Sequence, residues 1–427
     1  MNSVRSVHPR LPDQLTITLW DFSWYTRTGP GQAFEDLDRA FGEAVERGYN
    51  TVRICAMPFL LFGSRLPTDD LAFQGLGGDY AQRTRWYDVT ATEGLNGRDH
   101  LVVLFEAARR HNCYVILSSW EFQQSSSMSA DRRWWDALRA VPAEDRTTVL
   151  AESLADMVDF LAERNLSDRI AFVELHNEVQ YGYLADVLTD ESTPRVIGLQ
   201  DSLERGIDVF KARQPEHLVT VNYARVPVGE LRGFPRNADV AVFHPYVYGV
   251  LDELLDTFAL RDGRRPFPQE LARRELLRDD APDLHQWAPP SEDSWRLEAT
   301  IVGSREVYVH DWCDPEKWDR WLYERYALHA AEMRSVLELW IDAAMDTAAT
   351  HGIPLVFGEG WVGYTPLYGR FEEGPVGAEI CRRAARLSAA AGAWGTVVCS
   401  NAAPHHPMWS DVTLQQEVNA IFRSGAS

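Results

Sequence analysis

Eight short runs of β-branched and apolar residues punctuate this chain, at 15–19, 51–55, 114–117, 170–175, 218–221, 240–243, 354–357 and 395–399. Most of these runs are followed by a stretch with the spacing of an amphipathic helix. After the first, Phe34, Leu37, Phe41, Ala44 and Val45 share one helical face, and Gly48 is placed to end it. After the second, Leu101, Leu104, Phe105 and Ala108 fall at i, i+3, i+4 and i+7. Further helical patterns occupy 149–161, 198–212, 316–351 and 376–390, and a last one carries Leu414, Val418 and Ile421 on one face. Strands that alternate with helices pair in parallel through right-handed crossovers. Eight such units close on themselves, so the expected fold is α/β, a (β/α)8 TIM barrel. The alternative is an open doubly wound sheet, but no glycine-rich phosphate turn follows the first strand.

Two segments interrupt the rhythm. Residues 58–96 lie between the second strand and its helix, and residues 249–312 follow the sixth strand. Both leave the C-terminal ends of strands, the end at which barrel sites form, so both are expected near the mouth as walls or lids. The stretch 251–311 is too poor in core residues to stand as a separate unit. The expectation is one barrel spanning 1–427.

Polar and aromatic side chains stop the apolar runs at the C-terminal end only: Trp20-Asp21, Trp120-Glu121, His176-Asn177-Glu178, His244, Tyr246, Glu359, Trp361 and Asn401. In a closed barrel these positions converge. Two of them are carboxylates across the mouth from each other, Glu178 after the fourth strand and Glu359 after the seventh. Cleavage of a glycosidic acetal needs such a pair: one acid protonates the leaving oxygen, and one carboxylate stands on the opposite side of the anomeric carbon. Arg53, within the second strand, is placed to keep Glu359 ionised, and Tyr246 to donate to it. Glu178 needs a drier setting to hold its proton, with His244 tuning it. Asn177 suits a sugar 2-hydroxyl.

Composition narrows the partners. A net charge of −21 disfavours nucleic acid and anionic membrane surfaces, and no run is long enough to span a bilayer. Fifteen Trp residues suit either a packed core or stacking on pyranose faces. The five Cys are scattered without a C-x-x-C pair, which suits buried thiols in a reducing compartment. The first fifteen residues carry no apolar leader core, so an unexported, cytoplasmic protein is expected. No motif asks for a cofactor or metal, and nothing in the pattern fixes an oligomeric state.

The stretch Phe172 to Glu178 resembles the strand-four Asn-Glu motif of the clan A glycoside hydrolases, and Val356 to Trp361 is similar to their strand-seven nucleophile segment. Val52-Arg53-Ile54 looks like the strand-two arginine of glycoside hydrolase family 5, the cellulase-like family. His244-Pro245-Tyr246 looks like its His-x-Tyr after strand six. The four matches occur in family order. The resemblance implies a retaining β-glycosidase with Glu178 as acid/base and Glu359 as nucleophile, acting on a small carbohydrate in a pocket. Arg53, Asn177, His244, Tyr246, Trp361, Trp20, Asp21, Trp120, Glu121, Asn401 and Trp409 are then expected around the substrate. Val179 stands where the family usually has Pro, no strand-three histidine is evident, and Trp409 is the candidate for the strand-eight tryptophan. These departures mark a divergent member. Two rivals remain open. One is a metal-dependent barrel hydrolase or isomerase using His176, Glu178, His244 and Glu359, or His405-His406. The other is a carbohydrate-binding protein without turnover.

Overall fold

The computed structural model describes residues 9–74, 89, 92–190, 192–287, 291–363, 365–366, 368–398 and 402–425. Eight parallel strands form a barrel: β1 (Leu15–Asp21), β2 (Thr51–Cys55), β3 (Tyr114–Ser118), β4 (Ile170–Glu174), β5, β6 (Ala241–His244), β7 (Leu355–Phe357) and β8 (Gly395–Val397). Strand β5 is split at Val221 into Val219–Thr220 and Asn222–Ala224. Its first half pairs with β4, Val173 opposite Val219, and its second half pairs with β6, Asn222 opposite Val242. The sheet therefore closes through the two halves of one strand. The strand order elsewhere runs β4-β3-β2-β1-β8-β7-β6 without a gap, with register shifts in β1 after Leu19 and in β3 after Val115. The barrel read from the sequence is thus the barrel found.

The helices form where the apolar spacing placed them, and their ends are chemically marked. Helix α1 (Leu37–Glu46) starts at Asp36, whose side chain accepts from the Arg39 amide. Helix α2 (Gly97–Arg110) starts at Asn96 in the same way and buries Leu101, Leu104, Phe105 and Ala108. Helices α3 (Arg146–Ala162) and α4 (Arg195–Arg213) pack against each other outside β4. The 316–351 pattern is one helix, α5 (Pro315–His351), capped by Asp314 and ended by Gly352 at φ 67°. Helices α6 (Pro375–Ala390) and α7 (Val412–Ser424) complete the outer layer. Two details differ from the sequence reading. Phe34 precedes α1, and Val45 is largely exposed on its outer side.

The described part of 58–96 forms a single π-helical turn at Phe59–Gly63 and an antiparallel pair, Leu71–Phe73 with Thr92–Leu95. The 249–312 segment contributes Leu254, Phe258, Leu277, Trp295 and Val307 to the same continuous apolar cluster as the barrel. It is therefore welded to the mouth by burial. The Ile301 amide donates to the Gln123 carbonyl at 3.0 Å, and the fully buried Arg296 donates to the Ser129 carbonyl at 2.8 Å. A segment that leaves β6 thus reaches the loop after β3. No described helix is long and apolar enough to cross a membrane.

Candidate active site

The centre of the mouth is built around Arg53, a fully buried guanidinium on β2. Its Nη1 donates to Glu359 Oε1 at 2.6 Å, its Nη2 to Asn177 Oδ1 at 2.7 Å and its Nε to Glu174 Oε2 at 2.8 Å. Asp21 Oδ1 lies 3.7 Å from Nη1, and the guanidinium sits 4.5 Å from the Trp120 ring centre. Burial by itself would lower the guanidinium pKa. Glu174, Glu359 and Asp21 outweigh it and hold the group above its ordinary range. The planar fork explains why arginine stands here: three acceptors in three directions are met by one rigid cation.

Glu359 receives a second charge-stabilising bond from the Tyr246 hydroxyl, 2.9 Å from Oε2. Burial beside Glu359 and Glu178 pushes the Tyr246 phenol well above its usual pKa, so it stays a donor. The turn that presents Glu359 depends on Gly358. A Cβ at that position would lie 2.9 Å from Val242 Cγ1 and 3.0 Å from His244 Nε2, too close for either to accommodate without moving.

Glu178 follows β4 in the left-handed region, at φ 40°. Its amide donates to Asn222 Oδ1 at 2.6 Å, which holds this costly conformation in place. The Val179 amide donates to the Asn222 carbonyl at 3.2 Å, a bond the family's usual proline could not make. Burial pushes the Glu178 carboxyl up to about 7, against the opposing pull of Arg53, of a hydrogen bond from Gln123, and of Arg261 and Arg225.

His244 Nδ1 lies 3.2 Å from Glu178 Oε1 and 3.5 Å from Glu359 Oε1. Burial pushes this imidazole down to about 4, so it is neutral near pH 7. Its Nε2 has no hydrogen-bond partner among the described residues. The proton therefore belongs on Nδ1, facing the carboxylates, because an unpaired buried N–H costs more than an unpaired lone pair would here. Ligand atoms of Glu178, His244 and Glu359 all lie within 4.8 Å of one another. Among the described residues this trio is the group whose donors could surround a metal ion.

These groups form the floor of a cavity of about 840 Å³. Trp120, Gln123, Asn177, Glu178, Tyr246 and Glu359 all line it. Six of the residues expected from sequence, Arg53, Asn177, Glu178, His244, Tyr246 and Glu359, thus meet in one network, with Trp120 stacked on its arginine.

Five others do not line that cavity. Trp20 points outward, its ring 4.5 Å from Phe41 of α1 and 5.1 Å from Phe34, because neighbouring strand positions alternate faces. Asp21 lies beneath the cavity, turned to Arg53. Glu121 is fully buried and accepts from the amides of Phe59 and Leu60, from the Trp134 indole and from the Ser119 hydroxyl. It anchors the loop after β2. Trp361 is buried against Phe357, and its carbonyl accepts from the Val247 amide. Trp409 is in the outer layer, stacked on Tyr49 with its indole donating to Glu43. Asn401 lies outside the described residues. His176 is also structural: its Nε2 accepts the Phe122 amide and its Nδ1 faces the Asn177 carbonyl. Burial pushes it down to about 3.

Sequence reasoning missed Glu174, Gln123 and Asn222. Glu174 carried a signal, an acid as the last residue of an otherwise apolar strand. Gln123, whose Oε1 accepts from Asn177 Nδ2 at 3.0 Å, and Asn222 carried none.

The fold and the site together define a (β/α)8 barrel with a pair of carboxylates facing one cavity at its C-terminal mouth. Residues 17–196 match the family described as sugar-binding cellulase-like, a span that contains Arg53, Asn177 and Glu178 and stops before β5. No curated protein matches the chain in sequence. Among solved structures, a Parabacteroides distasonis protein classed as a glycoside hydrolase superposes with a TM-score of 0.69 at 19% identity, covering 97% of this chain and 94% of that one. A tri-modular family 5, subfamily 4 endo-β-1,4-glucanase from Bacillus licheniformis gives 0.50 at 12% identity, over 96% of this chain and 60% of that one. An endo-1,4-β-mannanase from Rhizomucor miehei gives 0.50 at 10% identity, over 99% and 98%. At these identities the likeness is one of fold.

Proposed function

We propose that the protein is a retaining glycoside hydrolase, with Glu359 as nucleophile and Glu178 as acid/base. The observation that carries this is the carboxylate pair. Their oxygens approach within 4.8 Å across one cavity. Retaining enzymes hold the two carboxyl groups roughly 5–5.5 Å apart, and inverting ones roughly 6.5–9.5 Å apart to admit a water. The environments differ as the roles require. Glu359 is braced by Arg53 and Tyr246 as an anion, while Glu178 keeps a proton up to about pH 7. In the first step Glu359 attacks the anomeric carbon and Glu178 protonates the departing oxygen. In the second, Glu178 takes a proton from water, which displaces Glu359. Asn177, fixed by Arg53 and Gln123, is placed to hold the sugar 2-hydroxyl.

Residues 301–306 wall one side of the cavity, which favours a pocket and exo action on a short β-linked oligosaccharide or glycoside. In this reading the whole of 1–427 is one catalytic barrel, and 58–96 and 249–312 shape its entrance. Cys55, Cys113, Cys313 and Cys381 are buried free thiols, in keeping with a reducing, cytoplasmic setting.

The test is Glu359→Ala with an activated glycosyl fluoride and azide. The reading expects lost hydrolysis and rescue to an azide adduct of inverted configuration. Normal turnover of an aryl glycoside by this variant would sink it. A second reading, metal-dependent hydrolysis, draws on the Glu178–His244–Glu359 trio. The Arg53 cation 2.6 Å from Glu359 opposes a metal cation there. Activity lost to a chelator and restored by a divalent metal would favour that second reading.

A further inference from the structure

The outer wall of the cavity has a charge character opposite to that of the chain. The molecule carries −21, yet Arg195, Arg225, Arg261 and Arg305 line this wall. The carboxylates beside them are Asp186, held by Arg146 at 2.6 Å, Glu306, held by Arg261 Nε at 2.8 Å, and Asp252, which accepts from Arg225 Nη2 at 3.2 Å and leaves the rest of that exposed fork to the cavity. Two of the arginines stand out by arrangement. Arg225 and Arg261 flank one aromatic ring, their guanidinium carbons 5.1 and 5.6 Å from the centre of Tyr248. Their side chains remain 40% and 48% exposed while lining the cavity. The backbone that presents Arg225 is fixed, since its amide donates to the His244 carbonyl at 2.7 Å. Burial raises the Tyr248 phenol, so the ring keeps a neutral hydroxyl between the two cations.

We propose that the cavity selects a saccharide bearing an anionic group, a carboxylate or a phosphate or sulfate ester, seated against the Arg225–Tyr248–Arg261 wall beyond Glu178. The placement beyond Glu178, on the leaving-group side, rests on the proposed roles of the carboxylate pair. The preference for an anion does not. A neutral sugar offers a guanidinium only uncharged hydroxyl acceptors. An anionic oxygen pair matches its fork, and the bond is charge-assisted. Tyr248 holds the two charges beside one another, so that one anionic group can meet both. An anion here would also neutralise two cations that draw the Glu178 proton away. Binding of such a substrate would therefore strengthen the acid it depends on.

The experiment is calorimetric titration of the protein with glucose-, galactose- and mannose-configured ligands. Each is supplied as the neutral sugar, the uronic acid, the 6-phosphate and the 6-sulfate. At least one anionic form should bind about tenfold or more tightly than its neutral parent, and the ratio should shrink as salt is raised. Which anionic form binds best identifies the group. In Arg225→Gln/Arg261→Gln, checked for folding by its melting temperature, that ratio should fall to near one. A single Arg225→Lys should reduce it partway, because an ammonium keeps the charge and loses the fork. Neutral sugars binding as well as every anionic form would overturn the proposal, as would a ratio that survives the double substitution. Because the measurement needs no turnover, it is decided separately from the hydrolytic role of Glu178 and Glu359.

Discussion

Two acids in this barrel, Glu121 fully buried and Glu178 partly so, make an instructive pair. Glu178 follows β4 and Glu121 follows β3, and burial pushes each carboxyl up to about 7. What surrounds them differs. Four donors converge on Glu121: two loop amides, an indole N–H and a serine hydroxyl. It is fully enclosed and lines no described cavity. Glu178 opens on the cavity, faces Glu359 across it, and is held in a left-handed backbone conformation. A raised acid therefore reports only that water has been removed. A chemical role also needs a bond within reach and a second group to act with.

The largest expected separation between the two regions comes from the partner carboxylate. Glu359→Gln should lower kcat/KM on aryl glycosides at least about a thousandfold, with the fold intact by circular dichroism. Retained activity would remove the distinction drawn here.

Glu178→Gln should cost about 10²- to 10⁴-fold on substrates with poor leaving groups, and far less on activated ones. The pH profile gives the sign. The reactive form of Glu178 is protonated, so wild-type kcat/KM should fall as pH rises through about 7. In the glutamine variant that alkaline limb should vanish. A limb that persists at the same pH would assign the ionisation to another group.

The same substitution should stabilise the protein at alkaline pH. A carboxyl with a folded pKa of about 7 and an ordinary value of 4.5 binds its proton more tightly when folded. Its unfavourable effect is absent below about pH 4.5 and grows as pH rises through 7, to a limit of about 3 kcal/mol. Denaturant melts of Glu178→Gln at pH 5 and pH 8 should show the gain mainly at pH 8. An equal or larger gain at pH 5 would contradict the assignment.

At Glu121 the amide swap should carry a cost that Glu178→Gln lacks. A carboxamide NH2 would face a donor N–H in a sealed site, costing about 1–3 kcal/mol, which offsets the alkaline gain that the raised pKa gives here too. Its kinetics on small glycosides should stay at wild-type level. A large loss of kcat without loss of stability would return Glu121 to the substrate.

The barrel was legible because short β-branched apolar runs, buried on both faces in the fold, alternate with 3.6-residue periodicity eight times, and no phosphate-binding turn favoured the open sheet. The floor of the site was legible because strand ends converge whatever the loops do, which is why Arg53, Asn177, Glu178, His244, Tyr246 and Glu359 were found together. The tryptophans and Glu121 were not. Whether a residue one or two places past a strand turns inward depends on strand parity and on the packing of helices far away in sequence. Trp20, within β1, turned to α1 by strand parity, and Trp409, in a turn well past β8, was drawn to Tyr49 in the outer layer. The arginine wall was hidden more completely, since Arg225 and Arg261 come from different loops and meet only over Tyr248.

The division of β5 at Val221 has a mechanical consequence. Each half of that strand is laddered on one side and held on the other by a single backbone bond, Asp239 N–H to the Val219 carbonyl and Val179 N–H to the Asn222 carbonyl, so the cylinder has a seam, and thermal opening should begin there before any other strand parts. Amide hydrogens at 219–224 should accordingly exchange with solvent sooner than those of β2 or β3. Asn222 clasps the Glu178 backbone across the same seam, so the acid's posture and the cylinder's first point of failure are one joint.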